Sequence, residues 1–126
     1  MLIAICLSLS LGGAEAPALR IIDGDTVALG EERIRLIGID APEHGGRAEC
    51  RAEELLGELA ARRLAEILQE ELVAIDRHGR DYFGRTLARI ETSGGDVGER
   101  LLQEGYAEVY DGRRFDWCAG EAAADE

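Results

Sequence analysis

Lysine is absent: all 14 basic residues of this 126-residue chain are arginine, and they are outnumbered by 26 aspartates and glutamates, giving a net charge of −12 at pH 7. That deficit of positive charge excludes a broad basic surface that would hold nucleic acid by backbone charge alone, so any polyanion must be met locally. The planar fork of arginine suits bidentate contact with phosphate, although a GC-rich genome produces the same bias without functional meaning. Long apolar runs are also missing. The continuous run at residues 2–11 (LIAICLSLSL) is too short to span a bilayer and has the length of the apolar part of a secretory signal. Small residues follow, and Pro17 directly after Ala16 favours cleavage after Ala14. No arginine precedes the run, which leaves an upstream start or an unusual first strand as alternatives. The expectation is a cleaved signal at 1–14, a domain at 17–118 and a periplasmic or secreted monomer with no stable membrane insertion.

Cysteine is scarce, with three in the chain. If Cys6 leaves with the signal, Cys50 and Cys118 remain as an even pair, which fits export. A bridge between them would close a loop of about 69 residues and contribute roughly 4 kcal/mol in the chain-entropy model; two separate buried thiols are the alternative. Neither cysteine has a histidine or second cysteine at metal-ligand spacing, which argues against a zinc site or a thiol nucleophile.

Over residues 18–39 the pattern is short and strand-like, broken by Asp23-Gly24-Asp25 and Gly30-Glu31-Glu32, and predicts a three-strand meander. Arg33, Arg35, Ile37 and Ile39 share one parity and Ile34 and Leu36 the other, so Arg35 is displayed opposite its apolar neighbours. The period turns helical over 47–69. An apolar stripe of Ala52, Leu56, Leu59, Leu64 and Ile67 is widened by Leu55, Ala60 and Leu68, while Glu53, Glu54, Glu58, Arg62, Arg63 and Glu66 form the expected solvated face. Two more strands are predicted at 71–76 and 86–91, joined by a polar loop at 77–85. A capping-box-like start at Asp96 opens a short helix to Glu104, stopped by Gly105. Residues 106–110 return as an extended segment, and the acidic tail 119–126 is expected to be disordered. These elements predict an α+β, mainly β fold: a five-stranded OB-type barrel with one helix inserted after strand 3 and a short one after strand 5.

Carboxylates that can hold a hard cation, another that can act as a base and arginines that can clamp a phosphate are the parts of metal-assisted phosphodiester hydrolysis. Here they lie in Asp23-Gly24-Asp25-Thr26-Val27, Arg35-Leu36-Ile37-Gly38-Ile39-Asp40-Ala41-Pro42-Glu43 and Asp81-Tyr82-Phe83-Gly84-Arg85. Together with Leu101-Leu102-Gln103-Glu104-Gly105-Tyr106-Ala107, these segments resemble the staphylococcal-nuclease (thermonuclease) family in order and approximate spacing, as a compact bacterial form. The resemblance implies that Asp25, Asp40 and the backbone carbonyl of Ala41 ligate one Ca2+. It implies that Glu43 is the general base and that Arg35 and Arg85 bind the scissile phosphate. Ala41 stands where the family often has Thr, a change that a main-chain ligand survives. Phe83 stands where Tyr is usual, and Phe83, Tyr106 and Tyr110 are candidates for base stacking, with core packing the alternative for the tyrosines. Asp23 is expected to form the turn or support the ligands, and His44 and His78 are expected to be exposed loop histidines. The implied activity is calcium-dependent cleavage of DNA or RNA by water, leaving a 3′-phosphate; an inactive module that binds nucleic acid or protein is the alternative.

Overall fold

The computed structural model describes residues 18–120. The expected signal at 1–14, Cys6 and tail residues 121–126 lie outside the described residues. Alternating apolar positions build β1 (Leu19–Asp23), β2 (Thr26–Leu29) and β3 (Glu32–Leu36), followed by a two-residue β4 (Ile39–Asp40). A 3-10 turn at Gly45–Arg47 leads to α1 (Arg51–Ile67). Then come β5 (Leu72–Arg80), β6 (Thr86–Thr92), β7 (Gly95–Asp96), α2 (Val97–Gln103) and β8 (Glu108–Val109). The main sheet runs β1-β2-β3-β6-β5 with β7 beside β6, and β4 pairs with β8 separately. This is the expected mainly β, α+β arrangement with a helix on either side of the last long strands. Among the described residues no ladder joins the outer strands β1 and β5, in keeping with the partly open barrel of OB domains.

The β3–β6 pairing is parallel, with Ile34 opposite Thr86, Arg35 opposite Leu87 and Leu36 opposite Ala88. Because neighbours in register share a face, β3 sends Ile34 and Leu36 into the core with Ala88 and Ile90, and turns Arg35 to the other side. Cys50 and Cys118, 68 residues apart, are joined in a disulfide. The structure lengthens β5 to Arg80, so the expected 77–85 loop shrinks to a tight connection; a register shift between Arg77 and Arg80, with Gly79 at φ +94°, absorbs the extra chain. Asp96 caps α2 by accepting from the Glu99 N–H at 2.9 Å.

The face of α1 differs from the sequence expectation. Gly57, Ala60, Leu64 and Ile67 are buried together with Glu53, whereas Leu55, Leu56 and Leu59 are 47%, 41% and 48% exposed. The stripe is rotated because small residues, Gly57 and Ala60, let the helix approach the β1–β2 turn: a Cβ on Gly24 would lie 2.7 Å from the Ala60 Cβ. The expected stripe is right at Ala60, Leu64 and Ile67 and wrong at Leu55, Leu56 and Leu59. Among the described residues no helix is long and apolar enough to cross a membrane.

Leu64→Ala should therefore lower stability by about 2–5 kcal/mol in chemical denaturation, as for other buried leucines. Leu56→Ala should cost less than about 1 kcal/mol, as expected for a largely exposed position.

Candidate active site

One turn and one strand end supply three aspartates. The β1–β2 turn carries Asp23 and Asp25, and β4 ends at Asp40; all three are about 5% exposed or less. Buried carboxylates require partners. Asp25 accepts from the Thr26 hydroxyl and the Ala41 N–H, each at 2.9 Å. Asp40 accepts from the Phe115 N–H at 2.8 Å. Arg35 sits between them, with Nη1 3.5 Å from Asp25 Oδ2 and Nη2 4.0 Å from Asp40 Oδ1. Its Nη1 also donates to the carbonyls of Leu36 at 2.9 Å and Ile39 at 2.8 Å, so the guanidinium is fixed rather than free.

Arg85 is fixed in the same way from the β5–β6 connection. Its Nε donates to Asp81 Oδ2 at 2.7 Å, while Asp81 Oδ1 accepts from the N–H groups of Phe83 and Arg85. Arg35 and Arg85 meet at one cleft of about 380 Å³, which Phe83, Tyr110, Asp81 and Leu87 also line. Phe83 lies under the Arg85 guanidinium at 5.6 Å and Tyr110 under that of Arg35 at 5.5 Å. β8 brings Tyr110 here by pairing with β4, and the Tyr110 N–H donates to the Gly38 carbonyl at 2.9 Å. Tyr106 is placed elsewhere: it packs against the core and lines a separate hollow with Trp117, Pro42 and Leu56.

Glu43 follows β4 beside Asp23 and Asp25. Burial, then the negative charges of Asp23 and Asp25, push its carboxyl up to about 7, against a smaller opposing effect of Arg47 and Arg114. Burial likewise raises Asp23, although Arg47 binds it at 2.7 Å. His44, expected to be a free loop histidine, is instead half-buried: its Nε2 donates to the Ile22 carbonyl at 2.8 Å and lies 3.3 Å from Asp23. His78 does lie exposed, against Asp76.

Glu53 is the functional residue that sequence reasoning missed. Assigned to the solvated face, it is 1% exposed. Its Oε2 accepts from the Glu43 N–H at 2.9 Å and from Arg114 at 2.5 Å, and its Oε1 accepts from the Glu49 N–H at 2.9 Å. Gly57, one turn on, lies where a Cβ would be 2.2 Å from the Glu43 carbonyl oxygen. An acid three residues after the helix N-cap and a glycine in mid-helix were the available signals, and neither specifies its partner.

A hard cation is suited to this donor set. Asp25, Asp40 and the Ala41 carbonyl offer oxygen atoms, and the buried carboxylates of Asp23, Asp25 and Asp40 exceed what Arg35 and the Asp23-bound Arg47 neutralise. A second acidic group, Glu49, Glu53 and Cys118, has ligand atoms within 4.8 Å of one another. That group is spoken for: the sulfur is bridged and Arg114 neutralises Glu53.

The structure is thus a small OB-type domain that sets two fixed arginines over a cleft, with buried carboxylates beside one of them. Residues 33–121 match the family described as Staphylococcal nuclease homologue, and the chain belongs to that family. It is 34% identical over 100 residues to a protein named Micrococcal nuclease from Shigella flexneri, covering 72% of this chain and 55% of that one. It is 36% identical over 99 residues to Endonuclease YncB of Bacillus subtilis (strain 168), covering 71% and 45%. Endonuclease YhcR of the same organism is 32% identical over 103 residues, 72% of this chain and 8% of its own length. The chain thus spans about half or less of these relatives.

In metal-free protein the Glu43 carboxyl should titrate near 7 by NMR, and Arg47→Gln should raise it further by removing a positive charge. The folded value lies above the ordinary 4.5, so the stabilisation from neutral Glu43 is complete below about pH 4.5 and lost as pH rises through about 7. Glu43→Gln should remove that part of the stability loss between about pH 4.5 and 7 in thermal unfolding.

Proposed function

We propose that this protein is a Ca2+-dependent phosphodiesterase acting on DNA or RNA by water attack and leaving 3′-phosphate ends. The observation that carries the reading is Arg35, which lines the same cleft as Arg85 and also contacts both Asp25 and Asp40. Asp25, Asp40 and the Ala41 carbonyl would hold the ion, which when bound would supply positive charge beside the phosphate. Arg35 and Arg85 bind the non-bridging oxygens of the scissile phosphate and stabilise the charge that grows on them in the five-coordinate transition state. Ion pairing with Asp25 and Asp81 fixes these forks before substrate arrives, which reduces the reorganisation needed at the moment of reaction.

Glu43 takes the proton of the attacking water, and its elevated pKa makes it a base matched to neutral solution. As water adds to phosphorus, the P–O5′ bond breaks, the 5′-oxygen leaves as a hydroxyl after gaining a proton, and the phosphate stays on the 3′ side. Phe83 and Tyr110 offer ring faces at the cleft for bases flanking that phosphate. Export to the periplasm or beyond, with the protein acting as a monomer, completes the reading.

Pure oxidised protein should nick supercoiled plasmid with Ca2+ and stop in excess EGTA. Glu43→Gln should slow cleavage by about 100- to 10,000-fold, and Arg35→Lys or Arg85→Lys by about 100- to 1,000-fold because a forked donor is lost. Product ends should resist polymerase extension until treated with phosphatase. Cleavage indifferent to EGTA, with Glu43→Gln equal to wild type, would overturn the proposal, and strand binding without cleavage would favour the binding module.

A further inference from the structure

We propose that the Cys50–Cys118 bridge is the switch of this site: it holds the segment 114–118 as a strap across Glu53 and Asp40, so that the cleavage proposed above belongs to the oxidised protein. The inference rests on that reading of the site for its effect on activity and on geometry alone for the strap.

The bridge brackets the contacts. Cys50 caps α1 three residues before Glu53, and Cys118 follows Arg114 by four. Between them, Arg114 pairs with Glu53 at 2.5 Å and with Glu49 at 3.6 Å, and the Phe115 N–H donates to Asp40 Oδ2 at 2.8 Å. The strap therefore touches the residue that holds the Glu43 backbone and one of the two carboxylates proposed to hold the ion. Little else secures it. The final strand, β8, ends at Val109; residues 111–116 are exposed and carry no ladder bonds, and Phe115 itself is 43% exposed. Trp117 meets Phe115 at 4.6 Å with the rings tilted by 60°, and lines the hollow with Pro42, Leu56 and Tyr106, its Nε1 buried and unpaired. That contact recovers little polar energy.

Reduction removes the covalent end of a surface segment, and segments with few buried contacts are the first to open. Once Arg114 departs, Glu53 is a buried carboxylate without its countercharge, a state relieved by turning toward water. The Glu43 N–H then loses its acceptor, and Asp40 loses the donor that fixes its plane. A displacement near 1 Å at a catalytic group costs about 100-fold in rate.

The redox step balances by exchange. One cysteine thiolate attacks a low-molecular-weight disulfide to give a mixed disulfide and one released thiol, and the second thiolate then displaces the other. The protein loses two electrons and two protons, which the released thiols carry. In a compartment that keeps thiols reduced the site stays loosened, and it assembles where disulfides persist.

The test compares oxidised protein, protein reduced with dithiothreitol, and Cys50→Ser/Cys118→Ser. Amide hydrogen exchange should show lost protection at Glu43 and Phe115 on reduction while β3 and β6 stay protected, and plasmid cleavage should fall about 100-fold. Glutathione disulfide should restore wild type but not the double variant. Reduced, folded protein that cuts at the oxidised rate would overturn the switch. Should reduction unfold the chain at assay temperature, Arg114→Gln with its bridge intact must show the same slow rate; full activity there overturns the proposal equally. Should oxidised wild type fail to cut any substrate, the nuclease reading fails, and the strap is judged on exchange: unchanged protection at Glu43 and Phe115 would sink it.

Discussion

Three aspartates share a region with too few cations, and most of the local architecture follows from that imbalance. Removing a carboxylate from water costs several kcal/mol unless charge or hydrogen bonds compensate it. Asp25 is compensated by Thr26, Ala41 and Arg35, Asp40 by Phe115 and Arg35, and Asp23 by Arg47 and His44. Apart from Thr26, these partners lie in other segments of the chain than their aspartates, so the contacts staple the β1–β2 turn, β3, β4, the 3-10 turn and the strap together. Glu43 meets what remains of the negative potential. Burial first, and then the negative charges of Asp23 and Asp25, hold its pKa high, and a cation bound as proposed would offset the second of these.

Charge alone would not fix distances, and backbone proximity does. Gly57 lets α1 touch the Glu43 carbonyl, and Gly24 lets the β1–β2 turn rest on Ala60 and Ala41. Both are places where any side chain would drive apart two segments that carry acidic residues of the candidate site. The parallel β3–β6 ladder does the corresponding work for the arginines, since Arg35 in β3 and Arg85, directly before β6, are separated in sequence by α1 and β5 yet line the same cleft. The helix is thus a spacer and a wedge: its small-residue face sets how closely the acidic turns approach, and its first turn holds Glu53.

The parity of β3, the capping of α2 and the five long strands were legible because each depends on local alternation or on a turn residue's own hydrogen bond. The motif residues were legible because several short segments kept a common order. The orientation of α1 was not, since a large leucine signals burial more strongly than glycine or alanine, although here the small residues face the core and Leu55, Leu56 and Leu59 remain outside. Glu53 was hidden for a related reason: an acid in the first helical turn is satisfied by the dipole in solvent, and only the tertiary arrival of Arg114 and the Glu43 N–H makes it buried. His44 was misjudged because loop location says nothing of which turn lies opposite, whereas for Tyr106 core packing, the alternative left open by the sequence, is what the structure shows.

The disposition of the arginines reconciles an acidic chain with an anionic ligand. Arg63, Arg77, Arg100 and Arg114 are each committed to glutamates in close pairs, with Arg63, Arg77 and Arg100 forked onto single carboxylates and Arg114 spanning Glu49 and Glu53. These bind the protein to itself and contribute little net potential outside. Arg35 and Arg85 are also paired with aspartates, but they are the two that line the cleft, flanked by aromatic faces rather than by further acids other than Asp81. A polyanion approaching a surface of net charge −12 is repelled within about a Debye length, beyond which the charge is screened, and is attracted only at contact. On the proposed function, recognition would be confined to short range, where fork geometry and stacking discriminate, and the positive charge of a bound cation would be a larger share of the attraction than on a basic scaffold.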